Sequence, residues 1–373
     1  MSKLEKLWYT RCGVPTPTGI AVQLGWIEEE FAKDGIALDS VLDNADPSVR
    51  ESHYDHKLDN SFRQGGSIPA IWARAAGRDT RLLGLTWTEE SQLILALPDS
   101  KIRSVKDLKG RRLGIATRPK DKIDFWQATT LRAYLLALET EGLGIDDVEL
   151  VHIVREQGSF ETPRSGRQGF PDGSTARTAS ADRSQEASAL RDGKVDVIFH
   201  KGARGAELAH EIGARTVFDV WKHPATRARA NNHSPRTLTV DGHLLDNDPD
   251  VVARIVGRVL QAGQWAADNR ADAIAYIARE TSSTPKWVTA AYGPEVHEHL
   301  RTDLDESSLK ALGEFTTFLF EHGFLPRDFD VQAWADPRPL AAARKASESD
   351  LAGAANVASP QKRKAGVRAP AAT

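Results

Sequence analysis

The sequence predicts an α/β protein with parallel sheets, and two observations carry that expectation. Strand-like and helix-like apolar patterns alternate from residue 5 to residue 220. The chain has 373 residues, 40% of them hydrophobic, with nine Trp and twelve Phe, enough for two ordinary domains with real cores.

The elements follow in order. Residues 5–9 (EKLWY) read as a short opening strand and 11–18 as a Pro-rich loop. From Gly19 to Asp34, apolar residues at 20, 21, 24, 27 and 31 have helical spacing. Gly35 caps that helix, and 36–43 returns as a strand. The opening is thus β–loop–α–β, with Cys12 at the carboxyl end of the first strand, where ligands sit in α/β sheets beside the next helix. Further strands are expected at 81–87, 91–97, 111–116, 148–154, 195–200 and 216–220. Helices are expected from about Trp126 to Gly142, at 184–192 and at 203–212. After residue 224 the pattern is mostly helical, at 249–268, 270–280, 284–292 and 306–322. The polar stretch 155–183 is too long for a plain connection and reads as a mobile loop or lid. From about residue 344 the Ala, Ser, Pro and Lys/Arg-rich segment reads as a disordered tail.

Composition excludes several functions. Lys plus Arg number 49 and Asp plus Glu 52, a formal net charge of −3, so no global positive field draws nucleic acid or an anionic membrane. A single cysteine, Cys12, excludes an intramolecular disulfide and any Cys-rich zinc or iron–sulfur site. The first twenty residues carry no apolar run of signal-peptide type, and no later run is long enough to span a bilayer. The expectation is a soluble cytoplasmic protein with a free thiol.

Three pieces in the first seventy residues carry chemistry: Cys12 in TRCGVPTP, His53 in SHYDH and Arg63 in FRQGGSIPA. Arg63 precedes Gly65 and Gly66, and a guanidinium beside backbone amides left open by glycine makes a receptor for a small oxyanion. Cysteine with histidine and arginine gives an electropositive thiol environment. The plainer readings are a buried hydrophobic cysteine, a turn at RQGG, and a core tryptophan at Trp126. His53 and His56 form a weak metal pair without a third ligand. His210, His223, His233, His297 and His299 show no motif and read as surface or capping residues.

The arrangement of these pieces resembles the 2'-hydroxybiphenyl-2-sulfinate desulfinase family of dibenzothiophene desulfurisation. Tyr9 to Pro15 matches its Tyr-x-x-Cys-x-Val-Pro, and His53 stands ten residues before Arg63 to Pro69, its Arg-x-Gly-Gly-x-Ile-Pro. The similarity runs on through 107–115, Trp126, 142–151, 193–199 and 261–269 to about Trp334, nearly the whole chain except its C-terminal tail. Gly13 stands where the family has proline after the cysteine, and His56 and Leu58 where it has Tyr and Gln.

The resemblance implies a two-domain α/β fold like type II periplasmic solute-binding proteins, with an inter-domain cleft. One domain would comprise 1–108 plus 218–343 and the other 109–217. It implies hydrolysis of a carbon–sulfur bond of an aryl or other sulfinate to release sulfite, with no metal or organic cofactor. Cys12, His53 and Arg63 would be catalytic; Gly65, Gly66 and Trp126 would hold the substrate. The partner would be a small sulfinate or sulfonate, with no nucleic acid and no membrane insertion, and the chain a monomer. The second reading is a sulfonate- or taurine-type anion-binding protein of an ABC transporter, which would share fold and anion receptor.

Overall fold

The computed structural model describes residues 4–155 and 185–358. The expected lid at 155–183, but for its first residue, and the end of the expected tail, 359–373, lie outside the described residues.

Two sheets organise the chain. The strands are β1 (Lys6–Arg11), β2 (Ala37–Ser40), β3 (Ser61–Gly65), β4 (Thr80–Thr86), β5 (Gln92–Ala96), β6 (Arg112–Thr117), β7 (Glu149–Val154), β8 (Val197–Lys201), β9 (Arg215–Asp219), β10 (Arg236–Asp241) and β11 (Thr302–Asp303). The first sheet has the order β11-β4-β10-β3-β1-β2 and the second β7-β6-β8-β5-β9. Strand β1 pairs in parallel with β2 and β3, and β6 with β7 and β8, as expected. Against expectation, β10 runs antiparallel to β3 and β4, and β5 antiparallel to β8 and β9. These two strands arrive from the other sheet rather than over a helix packed on their own, so nothing holds them parallel.

Both sheets are covered on both faces. In β5, Leu93 and Leu95 face one apolar cluster and Ile94 and Ala96 another, the alternation of a strand buried on two sides. In β4, Leu83 joins one cluster while Leu82 and Leu85 join the other. A bulge explains the change of parity: Leu238 pairs with Gly84 and Thr239 with Leu82, leaving Leu83 as an extra residue.

The helix expected over 19–34 is two helices, Pro17–Gln23 and Trp26–Ala32. Thr16 caps the first through its hydroxyl to the Gly19 amide at 3.0 Å, and Pro17 occupies the first turn. Gly25 at φ 79° breaks the run between them. Strands β3, β10 and β11 and the helix Ser67–Ala75 did not stand out from the sequence. In β10 (RTLTVD) threonines alternate with apolar residues, yet every position is buried. The helix Arg338–Ala358 continues past residue 344, where a tail was expected; Leu340 and Ala343 anchor its first turns in an apolar cluster, and its alanines favour continuing the helix. Strand β5 lies before the expected domain boundary at 108 yet pairs in the second sheet. No helix among the described residues is long and apolar enough to cross a membrane.

Candidate active site

The site begins where β1 ends. The Cys12 amide donates to the Gln64 carbonyl at 3.4 Å, prolonging the β1–β3 pairing and bringing the thiol to the carboxyl edge of the first sheet. The sulfur, half-buried, accepts from Arg63 Nη2 at 3.2 Å and stands 3.5 Å from His53 Nε2. His53 sits on the helical turn Ser52–Asp55, and its Nδ1 is 2.7 Å from the Thr10 hydroxyl, which fixes the ring's orientation. Arg63, on β3 and only 2% exposed, also donates from Nη1 to the Gly66 carbonyl at 2.8 Å. Burial lowers its pKa, and the nearby Cys12 opposes that shift.

The two glycines are there for space. A Cβ on Gly65 would lie 2.3 Å from the Cys12 sulfur, so only glycine lets the thiol sit over this backbone. A Cβ on Gly66 would meet Asn232 Oδ1 at 2.7 Å and His233 Cδ2 at 2.8 Å. Gly66 is also the residue before the helix Ser67–Ala75. Asn232 locks that helix start, its Oδ1 accepting from the Ile68 amide at 2.9 Å and its carbonyl from Ser67 Oγ at 3.2 Å.

A second group of side chains adjoins this one through His233. Lys201, at the end of β8 in the second sheet, lies 2.6 Å from His233 Nδ1 and 4.0 Å from the Glu90 carboxylate. Glu90 contacts His233 Nδ1 at 3.1 Å and accepts from the Tyr292 hydroxyl at 3.4 Å. Burial would raise the Glu90 carboxyl, but His233 and Lys201 hold it down to about 2. Burial pushes Lys201 down to about 8 and His233 down to about 4, so the imidazole is neutral at pH 7. Arg236 on β10 is fully buried with its Nε and Nη2 unpartnered. His233 Cδ2 lies 2.8 Å from where a Cβ on Gly66 would stand, so the two groups adjoin.

Cys12, His53, Arg63, Gly65 and Gly66 thus lie together, the grouping that the resemblance implied. Trp126 is not among them. It stands on the helix Phe125–Glu139 of the second sheet's side and meets the site through Lys201, whose ammonium lies 5.5 Å from its ring centre. His56, in place of the family's tyrosine, is buried in a left-handed conformation at φ 51°, and burial holds its pKa well below the usual histidine value. His297 is buried and His233 half-buried, where surface or capping residues were expected. Thr10, Glu90, Lys201, Asn232, His233 and Arg236 were missed. Lys201 had one usable signal, its place at the carboxyl end of the strand-like VDVIFHK.

Fold and site together define the class: a periplasmic-binding-protein-like α/β chain carrying a cysteine, a histidine and an arginine at the carboxyl edge of its first sheet. Residues 16–159 match the family described as NMT1/THI5 like. The chain is similar to 2'-hydroxybiphenyl-2-sulfinate desulfinase of Rhodococcus erythropolis, 29% identical over 363 residues, spanning 90% of this chain and 93% of that one. A crystal structure of a Cys-to-Ser variant of the desulfurization enzyme DSZB in complex with biphenyl-2-sulfinic acid superposes with a TM-score of 0.70 at 26% identity, over 91% of this chain and 99% of that one. The periplasmic aliphatic sulphonate binding protein SsuA of Escherichia coli, 16% identical with a TM-score of 0.63 over 90% of this chain and 92% of that one, shares the fold.

Proposed function

We propose that this protein is a cysteine-dependent desulfinase that hydrolyses the carbon–sulfur bond of a sulfinate, R–SO₂⁻ + H₂O → R–H + HSO₃⁻. The observation that carries the reading is the Cys12 sulfur held between Arg63 Nη2 and His53 Nε2, in a chain similar over 90% of its length to a desulfinase. Arg63 and the amide of Gly66, with that of Gly65, bind the sulfinate oxygens; the helix start at Ser67 adds its field. Trp126 covers the organic group from the other side.

Two routes fit these residues. As nucleophile, the Cys12 sulfur attacks the sulfinate sulfur, the organic group leaves with a proton delivered by His53, and water then releases sulfite and restores the thiol. As acid, the thiol protonates the carbon that carries sulfur; SO₂ leaves, is hydrated to sulfite, and the proton released returns through His53. A covalent Cys12–S–SO₂ adduct, found by mass spectrometry after rapid quenching, marks the first route.

The reading extends to organisation. We place the first domain around the first sheet and the second around residues 92–219, joined by the crossings at 87–91 and 220–235. The protein acts as a monomer in the cytoplasm, where a free thiol stays reduced.

The experiment is sulfite release from benzenesulfinate, 2'-hydroxybiphenyl-2-sulfinate and ethanesulfinate. Turnover by the wild type and its loss in Cys12→Ser are expected. Binding of these anions without any sulfite would make the chain a binding protein, and full activity in Cys12→Ser would refute the cysteine's role.

A further inference from the structure

The positive charge around the thiol exceeds what a simple sulfinate neutralises. Arg63, which touches the Cys12 sulfur at 3.2 Å, Lys201 and Arg236 are all buried. Glu90 is the carboxylate that faces Lys201 and Arg236. Glu89, whose charge also reaches Arg236, is engaged by Arg229 at 3.0 Å. His233 brings no charge, and Tyr292 is kept protonated by burial. A buried cation without a counter-charge is costly, so the excess marks where a ligand's negative groups belong.

The unpartnered donors say the same. Arg63 Nε, both Nε and Nη2 of Arg236, and Trp126 Nε1 are buried without an acceptor. The Lys201 ammonium, beyond the neutral His233 at 2.6 Å, lies 4.0 Å from Glu90 and 5.5 Å from the Trp126 ring centre. Two of these groups, Lys201 and Trp126, belong to the second sheet's side, across from Arg63 and the glycines.

We propose that the physiological substrate is a carboxyl-bearing sulfinate: Arg63 and Gly66 take the sulfinate, while Lys201, with Trp126 Nε1, takes the carboxylate. This rests on the desulfinase reading and names its substrate class. Lys201 is then a specificity-determining residue, held in place by His233 and Glu90. The competing account, in which an ionised Cys12 balances the second charge, predicts no carboxylate preference.

The test pairs sulfinates that differ by one carboxylate: benzenesulfinate against 2-carboxybenzenesulfinate, and ethanesulfinate against 3-sulfinopropanoate. Expected is a kcat/KM higher by about tenfold or more for the carboxyl member in at least one pair, the size of one charge-assisted hydrogen bond. In Lys201→Met that ratio should fall towards unity. Equal or lower kcat/KM for the carboxyl members in both pairs, with sulfite still released, would overturn this proposal and leave the desulfinase reading intact. The non-hydrolysable 2-sulfobenzoate and benzenesulfonate, compared by thermal shift, give a readout independent of turnover. A greater stabilisation by 2-sulfobenzoate supports the carboxylate site even if no sulfite is ever released, and its absence argues against it.

Discussion

Gly65 shows how tightly the sulfur is seated. Any side chain there meets Cys12 Sγ at 2.3 Å and Cys12 Cβ at 2.8 Å, and the thiol has one rotatable bond with which to yield. In Gly65→Ala the sulfur must leave its place between Arg63 and His53. Overpacking of this kind costs about 1–3 kcal/mol of stability. A displacement of about 1 Å at a reacting atom costs roughly a hundredfold in rate. Gly65→Ala should therefore keep its fold by circular dichroism, unfold at lower urea, and lose most of its sulfite release; wild-type turnover would show the close packing to be irrelevant. Thr10 acts one step further out. Its hydroxyl, 2.7 Å from His53 Nδ1, sets which imidazole nitrogen faces the thiol, so Thr10 is a positioning residue. Thr10→Val should lower kcat by about tenfold with little change in KM and shift the acid limb of the pH–rate profile, whereas Thr10→Ser should restore both. A purely structural role would leave the pH profile where it was.

The elements that sequence reveals best are those whose apolar residues need no partner to be recognised. LILAL and VDVIF announce β5 and β8 because both faces of the second sheet are covered. Strand β10 stays hidden because Thr237 and Thr239 give it a polar look, although it lies at the centre of the first sheet. The apolar spacing over 19–34 is genuine, but it cannot show that the backbone turns at Gly25. At φ 79° an L side chain is strained, and the space around Gly25 is otherwise open, with Glu29 the nearest contact at 3.7 Å. Gly25→Ala should thus cost about 1–2 kcal/mol through backbone conformation alone. Urea unfolding measures that cost, and sulfite release should remain at the wild-type rate, since Gly25 lies outside the site. An unchanged stability would mean that the helices Pro17–Gln23 and Trp26–Ala32 can fuse. The site divides in the same way. Cys12, His53, Arg63, Gly65 and Gly66 are legible because they fall within 55 residues of chain, in short motifs that carry the family resemblance. Glu90, Lys201 and His233 share no spacing; what unites them is the meeting of two sheets.

That meeting has a physical signature in the whole molecule. Glu90 lies on the crossing from β4 to β5 and His233 on the return from β9 to β10, so both inter-sheet connections contribute to the cluster around Lys201. The turn that carries His53 is bound to the loop after β6 on the other side, by Tyr54 to Asp121 at 3.0 Å and by Lys122 to Glu51 at 2.9 Å and to Asp55. The cluster is buried and its groups face Glu90, Arg236, Arg118 and Cys12 from both sheets, so protons report on folding there. The folded chain releases the Lys201 proton at about 8, against an ordinary value of 10.5. Between those values the unfolded chain binds more protons, so this group makes stability rise with pH across that window. The sign is the same at lower pH. Burial holds His200 and His233 at about 4 against 6.5, so stability falls as pH drops from 6.5 towards 4. Urea unfolding at pH 7.5 and pH 9.5 isolates the Lys201 contribution when wild type and Lys201→Met are compared. The wild type should gain on the variant with rising pH, and parallel curves would mean that Lys201 is not held in a desolvated place. Saturating 2-sulfobenzoate should abolish that gain, because a carboxylate beside the ammonium removes the reason for its lowered pKa. The same measurement therefore tests the proposed carboxylate directly against the charge of Lys201.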